Sequence, residues 1–502
     1  MKSRRQSFVW LAIGAMLMLF SNGRWIIPFA TWLYPIFFLR FIRMQKPRRG
    51  FIFLALASAI INTAMWWKMI PFPLTIYLIL TCIGMQIFTL CILTDRLLAT
   101  LLKGFLSTLV FPVAWCSIEY LLSLTSKGTW NSLAYTQAGN LPLMQLASVT
   151  GIWGVTFLIT WFASVINWVW QQNFEWEKIR KGTISFASVA AAILLFGTIR
   201  LNFFSSPSQT IRTASIVQAR NINEDLKTCK WTDAKGINQY SNEVENNLLD
   251  KTQQAAQAGA KIILWQESAG FIPKQEENEF VKRAMVLAAQ EKIYLLMTLW
   301  SVPEDFPKHL VENKLIIIDT NGREQLTYIK NNPAPPEPII KGDGLIPTLQ
   351  TSYGKIAPAI CADADYAGFI RQAGKNKVDI MFIPANDWKE IDPLHTHMAV
   401  IRAIENGFSL VHPAGQGLSV VTDNRGRIIS SLDYYSTDEQ VMYADVPVQY
   451  SFTIYAQVGD LFAWLCIAVL IIITTSVIFK KYFVHANGLN KNKDAIPTTI
   501  EH

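Results

Sequence analysis

Lys261-Ile-Ile-Leu-Trp-Gln-Glu267 is a four-residue apolar run between a lysine and a Gln-Glu pair. Four residues are too few for a buried helix and suit a strand covered on both faces. The run delivers a carboxylate to its carboxyl end. Neighbouring stretches repeat the theme. Ala214-Ser-Ile-Val-Gln218 reads as a second buried strand, and strand-like runs follow at 293–300, 315–319, 355–361, 379–384, 408–412 and 418–422. Between them, 276–291 is predicted helical because Phe280, Val281, Ala284, Met285 and Ala288 share one face. A helix also fits 393–406. Strands alternating with helices predict a layered α/β domain over 206–455.

The flanks of this domain differ in character. Apolar residues make up 51% of the 502 residues and charged residues only 16%, a balance expected of a chain partly in lipid. Seven apolar runs near 7–22, 25–42, 51–68, 74–94, 104–124, 151–170 and 183–203 precede the α/β domain, and an eighth near 457–479 follows it. The expected organisation is a transmembrane domain over 1–205, the α/β domain over 206–455, a last transmembrane helix over 456–482 and a polar cytoplasmic tail over 483–502.

Charge placement orients this arrangement. The net charge of +8 is concentrated in short segments between apolar runs: Lys2, Arg4 and Arg5; Arg40, Arg43, Lys46, Arg48 and Arg49; Arg96 and Lys103; Lys178, Arg180 and Lys181; Lys480 and Lys481. All of these fall on one side if seven helices precede the α/β domain. The positive-inside rule makes that side the cytoplasm and puts residues 206–455 outside. No long basic stripe with interleaved aromatics occurs, so nucleic acid is not an expected partner.

The outer loop from Gly128 to Pro142, with Gln145 and Gly151-Ile-Trp-Gly154 beyond it, is too polar to cross a bilayer and too apolar for a plain solvated loop. It reads either as an interfacial segment beneath the α/β domain or as an ordinary amphipathic connection. Glu119, within the fifth apolar run, is an ionisable group in a costly place.

Of six cysteines, Cys82, Cys91, Cys116 and Cys466 lie in apolar runs, leaving Cys229 and Cys361 in the polar region. No CxxC occurs, so neither a zinc site nor a disulfide framework is expected. His395 and His397, two apart on a predicted helix, face different sides, and no metal site is expected there. Glu267, Lys330 and Cys361 each sit at or near a predicted strand end, where α/β folds present functional side chains. A thiol needs a base or a neighbouring charge to become a thiolate. A carboxylate can take its proton, and an ammonium can stabilise a tetrahedral oxyanion. The product of such chemistry is a thioester suited to acyl transfer.

Five motifs carry a resemblance: Trp265-Gln-Glu267-Ser, Tyr328-Ile-Lys330, Ile360-Cys361-Ala-Asp363, Asn386-Asp387-Trp388, and the helix from His397 through Arg402 to Glu405-Asn406. As a set they resemble the nitrilase (carbon-nitrogen hydrolase) superfamily. Leu133-Ala-Tyr-Thr-Gln137, Gly151-Ile-Trp-Gly-Val-Thr-Phe157 and Val217-Gln218-Ala-Arg-Asn-Ile222 with Trp231 are similar to the membrane branch of that superfamily, the apolipoprotein N-acyltransferase family. The resemblance covers roughly 5–480. It implies an αββα sandwich outside the inner membrane of a bacterium, with about eight membrane helices. Glu267 would be general base, Lys330 oxyanion-stabilising and Cys361 the nucleophile. Glu337 would support the lysine, and Trp231 would lie near the lipid entrance. Asp363 and Asn386 fall in motifs flanking the centre and are candidates for supporting or substrate-binding roles.

The implied partners are a phospholipid acyl donor, a diacylglyceryl-cysteine lipoprotein acceptor and membrane lipid, with no cofactor. The loop Asn331-Asn-Pro-Ala-Pro-Pro-Glu337 is one residue shorter than the family pattern. That keeps open a membrane-anchored amidase, or an acyltransferase with another amine acceptor. A non-enzymatic scaffold is the remaining alternative, against which the three reactive residues argue.

Overall fold

The computed structural model describes residues 2–203, 209–218 and 234–493. Cys229, Trp231 and residues 494–502 lie outside the described residues. The chain divides into two compact units: Met1–Leu121 with Thr156–Ala190 and Leu461–His502, and Leu122–Val155 with Ala191–Asp460.

The first unit is helical. Among the described residues, five helices are long and apolar enough to cross a membrane: Leu74–Leu101, Gly104–Ser123, Ile152–Gln171, Trp176–Asn202 and Leu461–Phe479. The first three expected runs form the helices Lys2–Met18, Pro28–Met44 and Pro47–Met65, of 17, 17 and 19 residues, which are not among these five. Their basic ends are the reason: Arg40 and Arg43 close one helix and Arg48 and Arg49 open the next, so the apolar stretches shrink. The expected seventh run is longer than read, because its helix begins in the charged Trp176-Glu-Lys-Ile-Arg-Lys stretch.

Two buried carboxylates in this unit are matched by donors. Arg43 grips the buried Asp95 through two nitrogens, Nε to Oδ2 and Nη2 to Oδ1, each at 2.9 Å. Glu119 is buried, and its carboxylate accepts from Trp115 Nε1 at 3.1 Å and Thr156 Oγ1 at 2.9 Å. The carboxylate in that costly place is thus solvated by neighbouring helices rather than by water.

Among the described residues, the second unit holds fifteen strands. The first sheet contains β1 (Thr210–Ile216), β2 (Ile262–Trp265), β3 (Gly270–Pro273), β4 (Tyr294–Val302), β5 (Glu312–Ile318) and β6 (Glu324–Ile329). The second contains β7 (Leu349–Thr351), β8 (Gly354–Pro358) and β9 (Ile380–Phe382). The short β10 (Ala385–Asn386) follows, then β11 (Ser409–His412), the short β12 (Ala414–Gly415), β13 (Leu418–Thr422) and β14 (Ile428–Asp433). Last comes β15 (Val441–Pro447), which returns to the first sheet antiparallel to β1.

The sheet orders are β15-β1-β2-β4-β5-β6, with β3 on β4, and β14-β13-β11-β9-β8-β7. Each sheet has a parallel centre, β1-β2-β4 or β8-β9-β11, extended by antiparallel pairs. Side-chain alternation builds the layers. On β2, Ile262 and Leu264 join Ile356, Ile380 and Phe382 of the opposite sheet in one core cluster. Ile263 and Trp265, on the other face, join Leu248, Phe280 and Ala284 of the helices Ala234–Gln257 and Glu277–Glu291. The outer face of the second sheet is covered by Ile370, Ala399 and Ala403, from the helices Ala367–Lys375 and Leu394–Asn406. The result is the expected αββα sandwich. Covering both faces explains why the central strands read as unbroken apolar runs.

Candidate active site

Glu267 lies two residues beyond β2, Lys330 one beyond β6 and Cys361 three beyond β8, so three loops at strand ends carry the candidate centre. All three side chains are buried. Lys330 Nζ donates to Glu267 Oε1 at 2.8 Å and to both carboxylate oxygens of Glu337, at 2.9 and 2.8 Å. Glu267 is held from two further sides. Asn313 Nδ2 donates to its Oε1 at 2.8 Å, and the Asn386 backbone N–H to its Oε2 at 2.9 Å. The ammonium is therefore clamped between two carboxylates, each fixed by the backbone or by a buried amide.

The charges act on one another strongly because little water screens them. Burial disfavours the Lys330 ammonium, yet the Glu267 and Glu337 carboxylates outweigh it and hold its pKa well above the ordinary lysine value. Burial pushes the Cys361 thiol well above its ordinary range. The Glu267 carboxylate pushes the same way, and the Lys330 ammonium pulls against both. The surroundings of the Cys361 thiol therefore favour its neutral form, with an ammonium and a carboxylate close by.

The backbone at Cys361 is unusual. Its φ is +47°, left-handed for a residue with a Cβ, which costs of the order of 1–3 kcal/mol. Strand β8 was expected to run on to the cysteine. It stops at Pro358 instead, and a 3-10 turn, Cys361–Asp365, presents the thiol. Asp363 restrains that turn. Its Oδ2 accepts from Ile360 N at 3.0 Å and from Tyr328 Oη at 2.6 Å. Its Oδ1 accepts from Asn332 N at 2.8 Å and Asn332 Nδ2 at 2.9 Å. One buried carboxylate thus ties the turn bearing Cys361 to the strand and loop bearing Lys330.

A second group of residues lies under the turn. His395 Nδ1 meets Asp387 Oδ1 at 2.6 Å, and its Nε2 is 3.5 Å from Asp365 Oδ1. Burial lowers the imidazole pKa, but Asp387 and Asp365 reverse that and hold it well above the ordinary value. Donor atoms of Cys361, Asp387 and His395 lie within 4.8 Å of one another, a set of metal-ligand type. Here the short Nδ1 contact engages the imidazole with a carboxylate. The loop between the fifth and sixth apolar runs belongs to the same unit and closes the turn from its other side. Thr129 N and Oγ1 donate to the Asp365 carbonyl at 3.0 and 2.7 Å. Trp130 Nε1 donates to Asp365 Oδ2 at 2.7 Å while its ring stacks on His395. Gly128 has φ +53°, and a Cβ there would lie 2.8 Å from the Asp365 carbonyl, so glycine permits the close approach.

Replacing Trp130 by Phe keeps the ring and removes the donor from a buried carboxylate. A loss of about 1.5–3 kcal/mol is expected. Thermal unfolding of the full chain in detergent checks it, and an unchanged midpoint would show that the bond contributes nothing.

Of the residues singled out from sequence, Glu267, Lys330, Glu337, Cys361, Asp363 and Asn386 converge, Asn386 through its backbone. Asn313 and Asp365 were missed, Asp387 and Trp130 were noted only as parts of a motif and a loop, and His395 was considered only as a metal ligand, a role not expected of it. Asn313 is fully buried on β5, but it stands between Glu312 and Lys314, so no apolar run marked it in the sequence.

Comparison with known proteins agrees with this architecture. Residues 14–165 match the model of the apolipoprotein N-acyltransferase N-terminal domain, and 213–453 that of carbon-nitrogen hydrolase. An apolipoprotein N-acyltransferase of Geobacter metallireducens is 25% identical over 414 residues, 76% of each chain. Apolipoprotein N-acyltransferase 1 of Treponema denticola is 23% identical over 94% of this chain and 96% of its own. The solved structure of an amidase from Nesterenkonia sp. is 18% identical, with a TM-score of 0.40, covering 50% of this chain and 94% of that one. The two domain matches, in the order observed here, and relatives aligned along most of the chain place this membrane protein in the apolipoprotein N-acyltransferase family.

Proposed function

We propose that this chain moves an acyl chain from a phospholipid to the α-amine of a diacylglyceryl-cysteine at a lipoprotein N-terminus, through a thioester on Cys361. The observation that carries the reading is the Lys330 ammonium held by Glu267 and Glu337 beside a buried thiol. Glu267 takes the thiol proton as Sγ attacks the ester carbonyl carbon. The oxyanion that forms is stabilised by Lys330, whose charge is guaranteed by its two carboxylates. Collapse breaks the ester C–O bond, Glu267 returns the proton to the departing oxygen, and a lysophospholipid leaves. In the second half, the acceptor amine attacks the thioester and loses a proton to Glu267. The Cys361 thiolate leaves and takes that proton back from Glu267, and an amide results. Asp363, with five donors from Tyr328, Asn331, Asn332 and Ile360, holds the Cys361 turn against the Lys330 loop, and the Asn386 N–H fixes the carboxylate that handles the proton.

The setting supports the reading. Both substrates are lipids, and the α/β domain is continuous in sequence with apolar helices. Basic residues between those helices orient 206–455 to the outside of the cytoplasmic membrane by the positive-inside rule. In function the chain divides into a membrane domain over 1–205, a catalytic domain over 206–455, a helix over 456–482 and a cytoplasmic tail over 483–502. Trp231, whose position is not described, is assigned to the lipid entrance on family likeness alone.

Mass spectrometry of lipoprotein N-termini, from cells with and without the protein, tests the assignment. The amide-linked acyl chain is expected to disappear with the protein. N-termini that keep it would eliminate the assignment, and release of free fatty acid without an amine acceptor would favour the amidase alternative.

A further inference from the structure

A cavity of about 550 Å³ opens beside the candidate centre, within the range typical of small-molecule sites. Its wall includes Leu124, Pro333, Pro335, Glu337, Lys341 and Tyr366. Glu337 is the carboxylate that holds Lys330 Nζ, so the cavity reaches the catalytic lysine through one side chain. Leu124 is the residue immediately after the membrane-length helix Gly104–Ser123, so one wall starts where a bilayer-crossing segment ends. A bilayer-crossing helix ends, by its length, near the headgroup level, where a glycerophospholipid carries its phosphodiester.

The donors in the wall are nearly all committed. Asn332 gives its backbone and side-chain N–H groups to Asp363, and Ala334 N donates to Glu337. Tyr366 Oη donates to the Ser126 carbonyl. Pro333, Pro335 and Pro336 have no N–H to give. Among the described residues, Lys341 is the cation of the wall. It is exposed, and no hydrogen bond or ion pair engages it. Large exposed apolar side chains flank it, Ile340 one residue before and Leu345 four after, with Leu124 across the cavity. An uncommitted ammonium in an apolar rim suits an amphiphile with an anionic head.

We propose that this cavity seats the acyl donor as a glycerophospholipid, with Lys341 engaging its phosphodiester and so selecting phosphorylated over neutral donors. The proposal rests on the acyl-transfer reading, but it concerns this chain's own proline-rich loop and the lysine after it.

The test uses the full chain in detergent micelles and follows acyl-adduct mass on Cys361 with phosphatidylglycerol or with diacylglycerol, which lacks the phosphate. Lys341→Glu is expected to lower kcat/KM for phosphatidylglycerol by about tenfold or more, mainly through KM, and to leave diacylglycerol unchanged. Lys341→Arg is expected to keep most of the phospholipid rate. An equal fall on both donors, or none on phosphatidylglycerol, would overturn the proposal. Binding of short-chain phosphatidylglycerol to Cys361→Ala protein, with and without Lys341→Glu, separates site from chemistry. Lysine-dependent binding without any adduct in the parent chain would sink the acyl-transfer reading and keep the site. Adduct formation indifferent to Lys341 would do the reverse.

Discussion

Cys361→Ala protein is expected to gain no acyl mass on incubation with phospholipid, and to lose transfer activity by at least about 10⁴-fold. The expectation follows from the site's economy of nucleophiles. Cys82, Cys91, Cys116 and Cys466 lie in apolar helices, and among the described residues Cys361 is the thiol that shares a buried cluster with Glu267 and Lys330. Water could in principle replace it, but a direct route would still have to bring amine and ester together in one step. The variant should fold, since the Cys361 backbone N–H keeps its bond to the Pro384 carbonyl at 2.8 Å and Asp363 keeps its five donors. Alanine must still adopt the left-handed backbone that cysteine adopts now, so the strain is unchanged. Intact-protein mass and transfer assays decide the matter. Full activity in the alanine variant would remove the thioester from the mechanism.

Lys330→Met should have the largest effect on both chemistry and stability. The ammonium is fully buried between Glu267 and Glu337, and methionine would fill the space without the charge. Two carboxylates would then share a dry pocket with no cation between them. Breaking a buried pair from one side costs about 3–5 kcal/mol. Acyl-adduct formation should vanish as well, because the oxyanion loses its counter-charge.

A double variant distinguishes the two losses. Lys330→Met with Glu337→Gln removes one of the stranded charges, so part of the thermal midpoint should return while acylation stays absent. The pH response has a definite sign. Burial raises the Glu337 carboxyl above its usual pKa, and the Lys330 ammonium works against that rise. Without the lysine the raised pKa rises further, so the single variant should grow more stable as pH falls and the carboxyl protonates. A single variant as stable as the parent chain at neutral pH would show that the clamp is not the electrostatic centre described here.

Particular residues show where reading from sequence worked. Lys261–Glu267 announced a doubly covered strand because its side chains feed two cores, and β2 spans Ile262–Trp265. The helix predicted over 276–291 forms as Glu277–Glu291, with Phe280, Val281, Ala284 and Ala288 buried. Cys361 was placed on a strand and sits on a turn, because Asp363 caps Ile360 N and bends the chain, a bond invisible to a pattern of apolar residues. Trp130 and Asp365 are 235 residues apart, and nothing local in either stretch specifies that they meet.

Composition and local pattern alone determined that this chain crosses a membrane, carries an α/β sandwich and offers a carboxylate, an ammonium and a thiol at strand ends. Those properties follow from short-range periodicity, whose physical basis is the burial of one face or both. Tertiary structure alone decided that Lys330 is shared by two carboxylates and that Asn313 and Asn386 steady one of them. It also decided that an imidazole between two aspartates and a loop following the fifth apolar run underlie the Cys361 turn. Such contacts depend on ångström-scale packing of distant segments, and hydrogen-bond partners chosen at that scale leave no period in a sequence.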